Sequence, residues 1–227
     1  MFRVTIVSPL RATEADLARR QRRYGAHARP DTAVTVVNLD GGPPALETPG
    51  DVHASAAAIA RQMGSATPAD CDAILIDCVF DPAVDELWDA TGVPTFGPTR
   101  LTLPLAASVA RRFSIVARTE RLAGQLADLA THYGHGARLA SLRTLDLTYE
   151  EGKDPARFEA AMCGALRRVA TEDGAEAVFL GSTTMAVTEP MREAAGGLPL
   201  FMPGLVALRA VEHLRQDGLW PAARIRA

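Results

Sequence analysis

The sequence predicts an α/β fold of two similar lobes, each a four-stranded, largely parallel sheet flanked by helices, the lobes related by a pseudo-twofold axis. Three observations carry this. Short β-branched or apolar runs alternate with helical patterns from one end to the other, a strand-and-turn segment recurs 104 positions later, and 227 residues suffice for two lobes of about 100 to 110 residues each.

The runs that read as strands are Val4 to Val7, Ala33 to Val37, Ala73 to Ile76, Pro94 to Phe96, Phe113 to Ala117, Arg138 to Ser141, Ala177 to Leu180 and Pro199 to Phe201. Between them, Thr13 to Arg23, Glu120 to Tyr133 and Pro155 to Thr171 repeat apolar residues at three- and four-residue spacing, the period of a helix packed on one face. Strands that alternate with helices indicate βαβ units and parallel sheets, in which chemistry gathers at the carboxyl ends of the strands. Gly41-Gly42-Pro43-Pro44 can extend neither a helix nor a central strand, so it is a loop after the second strand, either a surface turn or a wall of a site.

The duplication is visible in detail. Asp72-Ala73-Ile74-Leu75-Ile76-Asp77-Cys78 aligns with Glu176-Ala177-Val178-Phe179-Leu180-Gly181-Ser182. One inserted residue later, Gly92, Pro94, Phe96 and Pro98 pair with Gly197, Pro199, Phe201 and Pro203. The openings Val4-Thr5-Ile6-Val7 and Phe113-Ser114-Ile115-Val116 match in the same way. These pairings divide the chain into a first lobe of residues 1–98 with 208–227 and a second of residues 99–207.

Composition narrows the class. Hydrophobic residues make up 48% and charged residues 22%, the balance of a globular protein. The net charge of -3 excludes an overall basic surface, and Arg19 to Arg23 reads as the solvated face of the first helix, so nucleic acid is not an expected partner. No apolar stretch approaches the roughly 20 residues of a membrane helix, and the amino-terminal residues lack a signal-peptide pattern. A cytoplasmic protein with no membrane partner is the expectation. Three cysteines without a CxxC spacing, Cys71, Cys78 and Cys163, form neither a disulfide framework nor a zinc site, so no metal is expected. No GxGxxG or GxxxxGK[ST] follows the first strand, which argues against a nucleotide site.

Cys78 is the residue that points to chemistry. It directly follows an apolar strand and precedes Val79-Phe80-Asp81-Pro82, where a helix is expected to begin, and a helix N-terminus favours thiolate over thiol. Ser182 occupies the matching turn of the second half. If the halves face one another, Cys78 and Ser182 approach one ligand from opposite sides, and the backbone N–H groups of Val79, Phe80, Thr183 and Thr184 form a cradle for a carboxylate or an enolate oxygen. Asp77 either raises the thiol's pKa or turns away, and Asp81 is a helix-cap candidate. Arg100 and Arg118 follow strands and are either anion binders or surface arginines. Cys71, at the amino end of the third strand, and Cys163, in a helical pattern, read as packing residues. The five histidines fall in helices or polar loops and are expected to be exposed.

The pair of turns resembles the aspartate/glutamate/hydantoin racemase superfamily, closest to its hydantoin branch. Cys78-Val79-Phe80-Asp81-Pro82 matches a first Cys-x-x-Asp-Pro turn, and Leu180-Gly181-Ser182-Thr183-Thr184-Met185 matches a second Leu-Gly-Cys-x-x-Met turn with serine in place of cysteine. Ser8-Pro9 after the first strand and Thr119 after the fifth belong to the same likeness, which spans essentially the whole chain. The resemblance implies a cofactor-independent enzyme acting at a carbon next to a carbonyl, with Cys78 and Ser182 as catalytic residues. Ser8, Pro9, Val79, Phe80, Thr119, Thr183 and Thr184 are then the residues expected against a small carbonyl or carboxylate substrate. It also implies a homo-oligomer. In the family two thiols share the proton transfer, and a serine hydroxyl holds its proton too tightly to replace one of them as a base. Three readings stay open: a natural one-thiol decarboxylase, lyase or cis–trans isomerase; a racemase or epimerase in which Ser182 only delivers a proton; or a serine introduced for cysteine to stall turnover. A non-catalytic protein that holds a small anion is the rival outside enzymes.

Overall fold

The computed structural model describes residues 1–221; the last six residues of the segment 208–227 assigned to the first lobe lie outside the described residues. The chain runs through the same order of elements twice. The first half is β1 (Phe2–Val7), α1 (Glu14–His27), β2 (Thr32–Val37), α2 (Pro49–Met63), β3 (Ala73–Ile76), α3 (Val84–Thr91), β4 (Thr95–Phe96) and α4 (Pro98–Val109). The second is β5 (Phe113–Ala117), α5 (Glu120–His132), β6 (Leu139–Thr144), α6 (Pro155–Glu172), β7 (Ala177–Leu180), α7 (Glu189–Ala194), β8 (Leu200–Phe201) and α8 (Pro203–Gln216), with short 3-10 turns before β6 and α6.

Each half forms a four-stranded sheet in which the described strand pairs are parallel, ordered β2-β1-β3-β4 and β6-β5-β7-β8. The two orders are the same order. Every residue of β3 and β7 is buried, as is every residue of β5, and β3 and β7 are unbroken apolar runs while β5 carries one buried serine, Ser114: helices cover both faces of a parallel sheet. Two compact units result, Met1–Leu101 with Gly204–Ala227, and Thr102–Pro203. The division falls inside α4, and nearly all of α8 is assigned to the unit that contains β1 to β4.

Local chemistry starts and stops the helices where the sequence provides it. Thr13 and Thr119 are equivalent N-caps, accepting from Asp16 N and Leu122 N one turn on, and this sets α1 and α5 in the same register. Thr48 and Asp51 form a capping box ahead of α2, and Asp154 with Pro155 opens α6. Gly92 ends α3 in the left-handed conformation, and Gly197, its sequence match, is also left-handed. Among the described residues no helix is long and apolar enough to cross a membrane.

The Arg19–Arg23 stretch departs from the expectation of a solvated face. Arg20 is buried at 6% exposure, and its guanidinium is shared between Asp16 and Asp77. Asp16, Arg20 and Tyr24 recur at every fourth residue, so they lie on one face of α1, and that face is turned to the sheet.

Candidate active site

The two turns are built alike, atom for atom, along the backbone. At the end of β3, Asp77 N donates to Val7 O (2.9 Å) and Cys78 N to Ile76 O (2.8 Å); at the end of β7, Gly181 N donates to Val116 O and Ser182 N to Leu180 O (both 2.8 Å). Two residues further, Phe80 N donates to Cys78 Sγ at 3.4 Å, and Thr184 N to Ser182 Oγ at 3.3 Å. Each half thus aims one backbone N–H at the side-chain atom of its own turn. Of the cradle expected from Val79, Phe80, Thr183 and Thr184, the groups on Phe80 and Thr184 are engaged in this way.

Neither turn leads straight into a helix, contrary to expectation. α3 begins at Val84 and α7 at Glu189, because Asp81 and Ala83 adopt left-handed conformations (φ 49° and 59°) and Thr183 to Thr188 remain non-helical. The helix N-terminus therefore does not reach Cys78, and its dipole, which acts within the first turn, cannot favour a thiolate there. Burial instead pushes the Cys78 thiol well above the ordinary range. The Phe80 N–H and the Arg20 guanidinium oppose that rise, and Asp81 and Asp77 add to it. Cys78 rests as a neutral thiol, at 4% exposure.

Asp81 does cap a helix, but it is α4 rather than α3. Its carboxylate accepts from Thr99 N (3.0 Å) and Arg100 N (2.7 Å), at the positive end of α4. Gly97 makes this possible: a Cβ there would lie 2.3 Å from Asp81 Cγ. Thr99 also donates to Val79 O at 2.6 Å, so the loop after Cys78 is tied to the start of α4 at two points.

Asp77 is turned away from the thiol, towards α1. Its Oδ1 accepts from the Tyr24 hydroxyl at 2.6 Å and its Oδ2 from Arg20 Nη1, while Arg20 Nε reaches Asp16 Oδ2 at 2.9 Å. Burial works against the Arg20 charge, yet Asp77 and Asp16 outweigh it and hold the guanidinium more firmly protonated than usual. Burial, and then Asp77, pushes the Tyr24 phenol up. This network escaped the sequence reading. The signal was present in the four-residue spacing of Asp16, Arg20 and Tyr24, but only packing shows that their common face is the inner one.

The remaining candidates separate clearly. Ser8 is fully buried and donates its hydroxyl to Leu10 O at 2.9 Å, and Pro9 O accepts from Ser55 Oγ, so the segment after β1 is fastened by its own polar groups. Thr119 caps α5. Ser182 is half-buried with its hydroxyl 3.3 Å from Thr184 Oγ1. Arg100 Nη1 reaches Asp85 at 2.8 Å, and Arg118 donates to Leu147 O at 3.1 Å and lies over the Tyr149 ring. Cys71 and Cys163 are buried free thiols, the latter on the buried face of α6 in the core. His27, His53, His132 and His213 are exposed and His135 is half-buried. Gly41 to Pro44 form an irregular loop after β2. Among the described residues, no three His, Cys, Asp or Glu side chains are gathered closely enough to hold a metal ion.

Comparison with known proteins agrees with this architecture. A hydantoin racemase of Pseudomonas sp. (strain NS671) is 29% identical over 181 residues, 79% of this chain and 72% of the relative. A hydantoin racemase of Rhizobium meliloti is 26% identical over 190 residues, 82% and 78% of the two chains. In three dimensions, an allantoin racemase from Klebsiella pneumoniae superimposes with a TM-score of 0.87 at 24% identity, covering 99% of this chain and 91% of the other, which establishes a common fold. The model of the Asp/Glu/Hydantoin racemase family matches residues 4–211, and the chain belongs to that family.

Proposed function

We propose that this chain is a cofactor-independent racemase or epimerase in which Cys78 moves the proton at a carbon next to a carbonyl and Ser182 serves the opposite side as a proton-delivering or substrate-holding hydroxyl. Family membership and the hydantoin racemases among its relatives favour a 5-substituted hydantoin or an amino-acid-like substrate. The observation that supports this best is the shared turn: one backbone N–H aimed at Cys78 Sγ and its counterpart aimed at Ser182 Oγ.

In this reading the Cys78 thiolate takes the α-proton and the C–H electron pair moves onto the carbonyl oxygen as an enolate. Ser182 then returns a proton to the other face. A serine alkoxide is too basic to be left behind, so the hydroxyl must be reprotonated as it donates. Thr184 Oγ1, 3.3 Å away, is the adjoining hydroxyl through which a proton from solvent water can pass to Ser182, while the Cys78 thiol gives its proton back to water; in the reverse direction the same chain carries the proton out to water.

One observation favours a second reading. A thiol that rests neutral is ready to protonate a carbanion left by loss of CO2 from a substituted malonate, a task for which one thiol suffices. The pH dependence separates the two. If Cys78 must be a thiolate, the rate climbs with pH through and beyond the ordinary thiol range, because its pKa is raised. If it must be a thiol, the rate is level near neutrality and falls only in strong alkali.

The decisive test is incubation of single enantiomers of a 5-substituted hydantoin in D2O, followed by polarimetry and by NMR of the α-position. Enzyme-dependent deuterium entry with loss of rotation supports the racemase. Release of CO2 from an arylated malonate without hydantoin exchange supports the second reading. Neither reaction, with Cys78 unreactive to iodoacetamide, leaves a small-anion binding protein.

A further inference from the structure

The turn that carries Cys78 rests on a charged seat that the matching turn lacks. α1 and α5 share a register through their Thr13 and Thr119 caps, so Arg20 corresponds to Leu126 and Tyr24 to Ala130, while Asp77 corresponds to Gly181. In the second half this place is apolar and closed. A Cβ on Gly181 would lie 3.0 Å from Ala117 Cβ, Leu126 Cδ1 and Val116 O. In the first half the same place holds a carboxylate gripped at both oxygens, by Tyr24 and Arg20, with Arg20 in turn anchored to Asp16 in the first turn of α1.

Burying such a group is costly, and an apolar filling of the kind found behind Ser182 is often at least as stable. The seat is therefore poorly explained as a stability device. Its position is more informative. Asp77 is the residue before Cys78, its N–H is fixed to Val7 O, and its charge and that of Arg20 both act on the thiol in opposite senses. The other charged groups on this side are Asp81, committed to the α4 N-terminus, and Arg23, the residue before Tyr24, which interacts electrostatically with Tyr24 and Asp77.

We propose that Arg20, Tyr24 and Asp77 are positioning residues for Cys78: their buried network fixes the turn that carries the thiol and places one carboxylate and one guanidinium behind it. The inference rests on the reading of Cys78 as the proton-transferring group, but its test needs no substrate. The probe is the rate of Cys78 alkylation by iodoacetamide, read by mass spectrometry on the folded full-length chain across neutral to alkaline pH.

Asp77→Asn keeps shape and removes the negative charge, so Arg20 faces the thiol less compensated. Alkylation at a fixed pH near 8 rises about tenfold, a shift of about one pH unit. Tyr24→Phe keeps both charges but removes the O–H that disperses the carboxylate's charge, and alkylation slows several-fold. Simple loosening of the turn makes both variants faster, so the opposite signs identify electrostatic tuning. The proposal is overturned if folded Asp77→Asn is unchanged or slower, or if Tyr24→Phe is unchanged or faster. Should Asp77→Asn not fold, Tyr24→Phe alone decides. If Cys78→Ala retains isomerase activity, the catalytic reading fails, while the alkylation result still stands or falls by itself.

Discussion

The end of β3 and the end of β7 share a backbone and differ in what lies behind it. Both turns repeat the same hydrogen bonds, from the strand's last N–H to the N–H aimed at residue 78 or 182. Behind Cys78 lies a buried ionic network, and beside Ser182 lies a glycine, Gly181, with no room for a side chain against Ala117 and Leu126. Duplication has thus preserved the geometry that presents a side chain, while the titrating group and its electrostatic surroundings have become specific to one half. In a two-thiol enzyme both sides need a group that can give and take a proton near neutrality. Here the first turn presents a thiol and the second a hydroxyl, so the two halves are chemically unlike at the matched position.

Removing the thiol breaks this comparison most severely. Cys78→Ala is expected to lower isomerisation by about 10²- to 10⁴-fold, the usual worth of a general acid or base, whereas Ser182→Ala costs less; polarimetric progress curves at saturating substrate measure both. Next in size, Arg20→Met leaves Asp77 buried without its cation and should destabilise the protein by about 3–5 kcal/mol, read as a lower urea midpoint. The matching change in the other half, Leu126→Met, conserves volume in an apolar place and should cost less than about 1.5 kcal/mol.

Gly181→Ala puts a methyl group against backbone Val116 O and the Leu126 side chain, and a loss of about 1–3 kcal/mol is expected in the same unfolding experiment. Ser182→Cys makes the halves chemically alike. A rise in racemisation with no change in unfolding midpoint is the expected outcome, and no rise counts against Ser182 acting on the same substrate as Cys78.

Much of this protein was legible in its sequence. All eight strands overlap the runs that predict them, though β6 ends three residues beyond its expected end, and α5 and α6 match their periodic segments to within a residue or so; the clearest runs, β3 and β7, are the strands buried on both faces. The twin turns were legible for the same reason: a strand end followed by Cys or Ser repeats in order and spacing. The interiors of the turns were not. Asp81-Pro82-Ala83 looks like a helix start, yet the left-handed Asp81 and Ala83 delay α3 and send the Asp81 carboxylate to α4, a partner 18 residues away in sequence. Nothing local distinguishes those two caps.

By itself, then, the sequence determined the repeated βα order, the two sheets, the family and the pair of residues at the strand ends, since these follow from periodicity and from short motifs in a fixed order. Only the tertiary structure decided that Cys78 rests as a buried neutral thiol rather than a helix-stabilised thiolate, and that an arginine of α1 lies inside, bonded to the carboxylate beside it. The physical reason is that protonation state depends on burial and on charges within a few ångströms. The charges come from Asp77 and Asp81, close to Cys78 in the chain, and from Arg20, which stands 57 positions before the Asp77 it bonds and reaches it only in the folded chain.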